Sequence, residues 1–248
     1  MAIIIKKHEH IQLMRIASQI CKQTHELLQE MIKPGVTTGE LSKAAYDYIT
    51  KNDAKPSFLG YRGFPAPVCI SINEEVIHGI PGSRRLIDGD IVSIDIGVCY
   101  NRFHGDAART HAVGNISKRH RELIEVTEGC FFEGMKYAKQ GHHLHEISNA
   151  MADYVTNAEF GLIQQWCGHG IGRKVHEDPQ VPQTRQDNRG PALRYGMTLA
   201  IEPMVTAGNP DSHTKGDTWT ICTVDKSYAS HYENTVLITD EEPDILTL

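Results

Sequence analysis

The sequence predicts a mixed helix-and-strand chain, α/β in the α+β sense, built as two similar halves. Three observations point there. Apolar residues recur at helical spacing in two stretches near the N-terminus and again in two stretches past the middle. Each helical pair is followed by strand-and-turn text. A ten-residue segment is also echoed: Leu86-Ile-Asp-Gly89-Asp-Ile-Val-Ser-Ile-Asp95 matches Leu193-Arg-Tyr-Gly196-Met-Thr-Leu-Ala-Ile-Glu202, with a glycine six residues before a carboxylate in both. His-Gly-Ile occurs twice as well, at His78 and at His169. Short apolar strands resemble one another by chance, but two echoes in the same order favour an internal duplication.

The elements follow in order. Ile11, Met14, Ala17, Ile20, Leu27 and Met31 place a helix over 8–32, stopped by Pro34-Gly35. A second helix starts at Thr37, with Glu40 three residues on in a capping-box pattern. Leu41, Ala44, Ala45, Tyr48 and Ile49 form its apolar side. Strands are expected at 68–72 and 91–100, the latter with Val92, Ile94, Ile96 and Val98 on one face. Two more helices are expected at 117–138 and 144–157, and strand character then lasts to the C-terminus. The whole, 1–248, reads as one catalytic domain with pseudo-repeat halves at about 8–113 and 117–239.

Composition excludes several classes. With 248 residues, 40% hydrophobic and 23% charged, the chain is globular rather than disordered. A formal charge of −6 argues against nucleic acid as the main ligand, which needs a concentrated basic face. The six cysteines contain no C-x-x-C pair and read as reduced thiols. The opening MAIIIKKHEH is too short in apolar residues for a signal peptide, and no run approaches the roughly 20 residues of a membrane span. The expectation is a cytoplasmic protein with no membrane partner.

The chemistry announces itself through carboxylates in apolar surroundings. Asp95 and Glu202 sit inside strand patterns, and buried carboxylates are costly unless paired or metal-bound. Asp106 lies in Phe-His-Gly-Asp-Ala-Ala, and Glu233 precedes a strand-like run. If Tyr100-Asn101 is the turn of a hairpin, Asp95 and Asp106 face each other directly, with Cβ atoms roughly 4.5–5.5 Å apart. Such a pair needs a cation between. Three or four carboxylates with one histidine, His169 between glycines, suit a hard divalent metal such as Mn, Fe, Co or Zn. The set is large enough to bridge two ions.

These residues and their flanks resemble the methionine aminopeptidases. The matching text is Gly-Phe-Pro at 63–65, Cys-Ile-Ser-Ile-Asn-Glu-Glu-Val-Ile-His-Gly-Ile-Pro at 69–81 and Gly-His-Gly-Ile-Gly-Arg at 168–173. His-Glu-Asp-Pro at 176–179, Ile-Glu-Pro-Met at 201–204 and Thr-Val-Leu-Ile-Thr at 235–239 extend it over nearly the whole chain. The resemblance is to the type I, bacterial-style members, without a long N-terminal extension or a large insertion in the second half. It implies the pita-bread fold, an antiparallel sheet covered by helices with a pseudo-twofold.

The resemblance also implies roles. Two divalent ions (Co, Mn, Fe or Zn) would be held by Asp95, Asp106, His169, Glu202 and Glu233, with Asp106 and Glu233 bridging. Glu202 would shuttle the proton, His176 would bond the scissile carbonyl side, and His78 would contact the scissile nitrogen. Tyr61, Phe64, Cys69, His78 and Trp219 would line the methionine pocket. The substrate would be the N-terminus of a nascent polypeptide with a small second residue. The enzyme would be a monomer, with ribosome contact in keeping with co-translational work.

Three departures stand out. Val175 replaces a usual Phe, Asn234 a usual His after Glu233, and Pro65-Ala66-Pro67 a usual Ser-containing stretch. They bear on efficiency and side-chain preference. The competing readings are a prolyl aminopeptidase or prolidase-like enzyme, a metal-free creatinase-like hydrolase, and a binding paralogue that lost catalysis.

Overall fold

A computed structural model describes residues 2–248. Four helices form where the apolar spacing places them: α1 His8–Met31, α2 Thr38–Lys51, α3 Lys118–Met135 and α4 Leu144–Asn157. The stripe that α1 buries runs Ile11, Met14, Ala17, Cys21 and Leu28, so Leu28 takes the place expected for Leu27. Helix α3 ends short of residue 138. Its continuation winds more tightly, with Tyr137 N–H bonded to Gly134 O at 3.1 Å and Ala138 N–H to Met135 O at 3.1 Å. Thr37 caps α2: its Oγ1 accepts Glu40 N–H at 3.1 Å while the Glu40 carboxylate accepts Thr37 N–H at 2.7 Å.

Seven main strands carry the site: β1 Cys69–Ile72, β2 Ile91–Tyr100, β3 Phe103–Ala112, β4 Gly168–Gly170, β5 Glu177–Val181, β6 Thr198–Ile201 and β7 Glu233–Leu237. They pair antiparallel in the order β1-β2-β3-β7-β6-β4-β5, with the short strands Lys55–Pro56 and Asp244–Ile245 added at β2 and β7. Two three-stranded sheets stand beside this one.

Helices cover one face. Val92, Ile94, Ile96 and Val98 of β2 pack with Ala17, Ile20 and Cys21 of α1 and Leu41, Ala45 and Ile49 of α2. Leu199, Ile201 and Val236 pack with Phe131, Ile147 and Met151 of α3 and α4. Because alternate strand residues point to opposite faces, Asp95 and Glu233 are left on the other side.

The duplication is written in the backbone. Leu86 N–H bonds Val36 O at 2.8 Å, and Leu193 N–H bonds His142 O at 2.8 Å. Gly89 donates to Val113 O, and Gly196 to Ile238 O, both at 3.0 Å; Val113 and Ile238 return bonds to Asp90 O and Met197 O, both at 2.9 Å. Both glycines are left-handed, with φ +98° and +83°, which explains why each echo keeps a glycine there. The halves meet where β3 pairs β7, through Ala108 opposite Glu233 and Ala107 opposite Asn234.

The expected hairpin register is corrected. The turn is Asn101-Arg102, with φ +46° and +71°, and Tyr100 pairs Phe103. Positive φ at both central residues matches the right-handed strand twist. Asp95 therefore faces Ala108, and Asp106 faces Gly97. The two carboxylates share a face but stand diagonally.

Gly105 lets α1 approach β3, since a Cβ there would lie 2.7 Å from Ser18 N and 2.8 Å from Ser18 Cα. Gly105→Ala is expected to lower unfolding free energy by about 1–3 kcal/mol in chemical denaturation. Gly216→Ala, where a Cβ meets nothing within 4 Å, should change it by less than about 0.5 kcal/mol. Equal effects would contradict this account of the α1–β3 contact.

Candidate active site

Neighbouring strands deliver the acidic residues to one floor. Asp95, Ala108 and Glu233 form a registered row across β2, β3 and β7, and Asp106 lies two residues along β3 on the same face. His169 on β4 faces Ala200, two residues before Glu202, which follows β6 directly. Asp106, His169 and Glu233 each offer a ligand atom, all within 4.8 Å of one another. Glu202 stands beside them, with Oε1 3.6 Å from His169 Nε2. Asp95 lies diagonally across from Asp106 on the same face.

Burial dominates the electrostatics. It pushes the Asp95, Glu202 and Glu233 carboxyls well above the usual carboxylate range, and the charge of Asp106 adds to this in each case. Burial also pushes Asp106 up to about 7, against hydrogen bonds from Asp95 and Ala107 that pull it down. His169 is driven down to about 3 and His78 to about 4, again mainly by burial, so both rings are neutral near pH 7.

Above the floor opens a cavity of about 480 Å³. It is lined by all five of these residues, and by Tyr61, Phe64, Cys69, His78, His176 and Trp219. Phe64 meets Trp219 edge-on at 5.2 Å and belongs to one apolar cluster with Cys69 and the buried Val175. His176 Nδ1 lies 3.0 Å from the Tyr61 hydroxyl, and its ring is 4.1 Å from that of His169. His78 sits in a left-handed conformation, φ +59°, which is strained for a residue with a side chain. Gly79 follows it because a Cβ there would lie 2.2 Å from Ile70 O.

Asn234 also finds its place. Its Oδ1 accepts from Arg109 Nη2 at 2.6 Å and from Thr247 Oγ1 at 2.8 Å, while Arg109 Nη1 donates to the Glu233 carbonyl. The side chain thus steadies the guanidinium that holds the backbone of Glu233.

Sequence reasoning missed His231 and Trp166. His231 is buried, with Nε2 3.5 Å from Glu202 Oε2. The His-x-Glu alternation leading into β7 is the signal that could have found it. Trp166 lies edge-on to His78 at 5.3 Å and lines the cavity. Nothing in its local spacing separates it from a core aromatic.

Residues 12–240 match metallopeptidase family M24. The chain belongs to this family of metal-dependent peptidases. Over 246 residues it is 52% identical to a methionine aminopeptidase of Clostridium perfringens, covering 99% of both chains. It is 49% identical over 245 residues to methionine aminopeptidase 1 of Bacillus subtilis, again covering 99% of both. The crystal structure of methionine aminopeptidase from Rickettsia prowazekii superposes with a TM-score of 0.97 at 35% identity, covering 100% of both. No helix among the described residues is long and apolar enough to cross a membrane.

The family implies a divalent metal, and the residues fit one. Asp95 Oδ1 and Asp106 Oδ1 are buried without a hydrogen-bond partner among the described residues. Buried oxygens of that kind are costly unless something positive meets them. The donors are hard oxygens with one imidazole, which suits a divalent ion of the Mn, Fe, Co or Zn series.

Metal binding is expected to release protons. With raised carboxyl pKa values, the metal-free floor holds protons near pH 7, and a cation requires the ionised forms. Affinity for Mn²⁺ should therefore rise between about pH 6 and 8. His169, already neutral, contributes none of these protons. Calorimetry in buffers of different ionisation heat reads the number released; no release, or proton uptake, would contradict the assignment.

Proposed function

We propose that this chain is a methionine aminopeptidase that removes the initiator methionine from nascent polypeptides whose second residue is small. One observation carries the reading: four carboxylates and a histidine converge at the floor of an apolar cavity walled by Phe64, Trp219 and Cys69. Full-length identity to methionine aminopeptidases supports it and favours it over a prolidase-like activity. A wall of aromatic rings and a thiol suits a flexible thioether.

Asp95, Asp106, His169, Glu202 and Glu233 would hold two divalent ions. Such ions supply Lewis-acid polarisation and a water acidic enough to ionise near neutrality. Glu202 takes the proton of the attacking water and passes it on. His176, at the cavity mouth, donates a hydrogen bond to the scissile carbonyl oxygen as charge develops there. His78 would lie near the scissile nitrogen, where its neutral ring hydrogen-bonds the leaving group, and the proton that Glu202 took from the water ends on the leaving amine. The substrate's free α-amino group is received on the Asp95 side of the floor, which restricts cleavage to the first residue. On this reading the enzyme is cytoplasmic and monomeric and works close to the ribosome.

The test strips the protein with chelator, restores Co, Mn, Fe or Zn, and measures free methionine from Met-Ala-Ser and Met-Leu-Ser. Metal-dependent release from the first peptide and little from the second is expected. Asp106→Asn should lower the rate by more than about 100-fold, since even groups behind metal ligands are worth roughly 10–100-fold. Bound metal with no methionine release would overturn the specificity, and absence of metal binding would overturn the enzyme.

A further inference from the structure

A buried ion pair lies next to the site without taking part in the chemistry above. Lys6 Nζ donates to Glu177 Oε2 at 2.7 Å, and the two side chains are only 2% and 3% exposed. The desolvation of two charges largely offsets their attraction, so such a pair is a poor device for stability alone. Its geometry points to another role. The same ammonium donates to Ile4 O at 3.2 Å, and Lys6 N–H donates to Gly196 O at 2.7 Å. The N-terminal segment is thereby tied to the turn that leads into β6 and Glu202.

The partner carboxylate organises the loop of His176. Glu177 Oε1 accepts Lys174 N–H at 3.1 Å, and Gly172 N–H donates to Lys174 O at 3.1 Å. Gly172 is packed so closely that a Cβ would lie 2.4 Å from Lys6 Cε and 2.8 Å from Glu177 Oε1. Glu177 opens β5, directly after His176. Glu177 lines the same cavity as His176, and anchoring it on Lys6 fixes the backbone from which the neighbouring His176 reaches Tyr61 and His169.

We propose that Lys6 is a positioning residue for His176, acting through Glu177, so that the N-terminal segment sets the place of the group that meets the scissile carbonyl. This rests on the role given to His176 above.

The experiment is a double-mutant cycle on fully loaded enzyme with Met-Ala-Ser, comparing wild type, Lys6→Met, His176→Ala and the double variant, with metal content measured for each. Lys6→Met is expected to lower kcat about tenfold with KM within about twofold, because small misplacement of a reacting group costs rate rather than binding. In the His176→Ala background the same change should alter kcat by less than about twofold, since its target is gone. An equal loss in both backgrounds, a loss confined to KM, or no loss would overturn the proposal. If His176→Ala itself leaves kcat unchanged, the role of His176 falls and the proposal with it. If Lys6→Met fails to fold, Lys6→Met/Glu177→Gln removes the stranded carboxylate while keeping an acceptor for Lys174 N–H. The cycle is then run with that pair, under the same expected and overturning results.

Discussion

Asp106 and Glu233 present carboxylate oxygens within 4.8 Å of each other on a buried floor, with Asp95 and Glu202 beside them. Two full charges at that distance repel by about 3 kcal/mol or more at the effective dielectric of a protein site. Burial adds a larger penalty on each anion, and the raised carboxyl pKa values express both effects. Only protons or cations relieve this. The rest of the molecule reads as what is needed to hold these groups together: a sheet that fixes their spacing, helices that seal the opposite face, and loops that close an apolar chamber over them.

The sheet does so through its seam. Ala107 and Ala108 of β3 pair with Asn234 and Glu233 of β7, which joins the carboxylates of the first half to those of the second. One residue further on, the Thr235 hydroxyl accepts Asp106 N–H at 2.8 Å and donates to Asp106 O at 2.9 Å, standing in for a strand pair. Arg109 holds the Glu233 carbonyl from behind, over the Tyr232 ring at 4.5 Å. Each half alone would present an incomplete acid set on a sheet edge. The duplication is thus bound up with the chemistry, since the floor exists only where the halves meet.

The chamber is built from more distant parts. Tyr61 and Phe64 come from the segment before β1, His176 from the segment between β4 and β5, and Trp219 from a loop between strands of a small sheet. Two of its lining residues, His78 and Arg62, hold positive φ. Such conformations persist when the surroundings over-determine them, and Gly79 against Ile70 O does that for His78.

By itself the sequence determined what depends on local period and on residue type. The four helices, the strand at 91–100, the glycine turns of the two halves and the acid set were legible because periodicity, caps and misplaced carboxylates are local or compositional signals. It did not determine how the strands align. The Asp95–Asp106 relation was read one residue off about the turn, because a hairpin register depends on which two residues adopt left-handed backbone, and Asn101-Arg102 prevailed over Tyr100-Asn101. Nor could local spacing reveal Trp166 against His78, or Lys6 beneath Glu177, 171 residues away. Those contacts exist only once the halves have packed, because burial and proximity are properties of the folded chain and leave no period in the sequence.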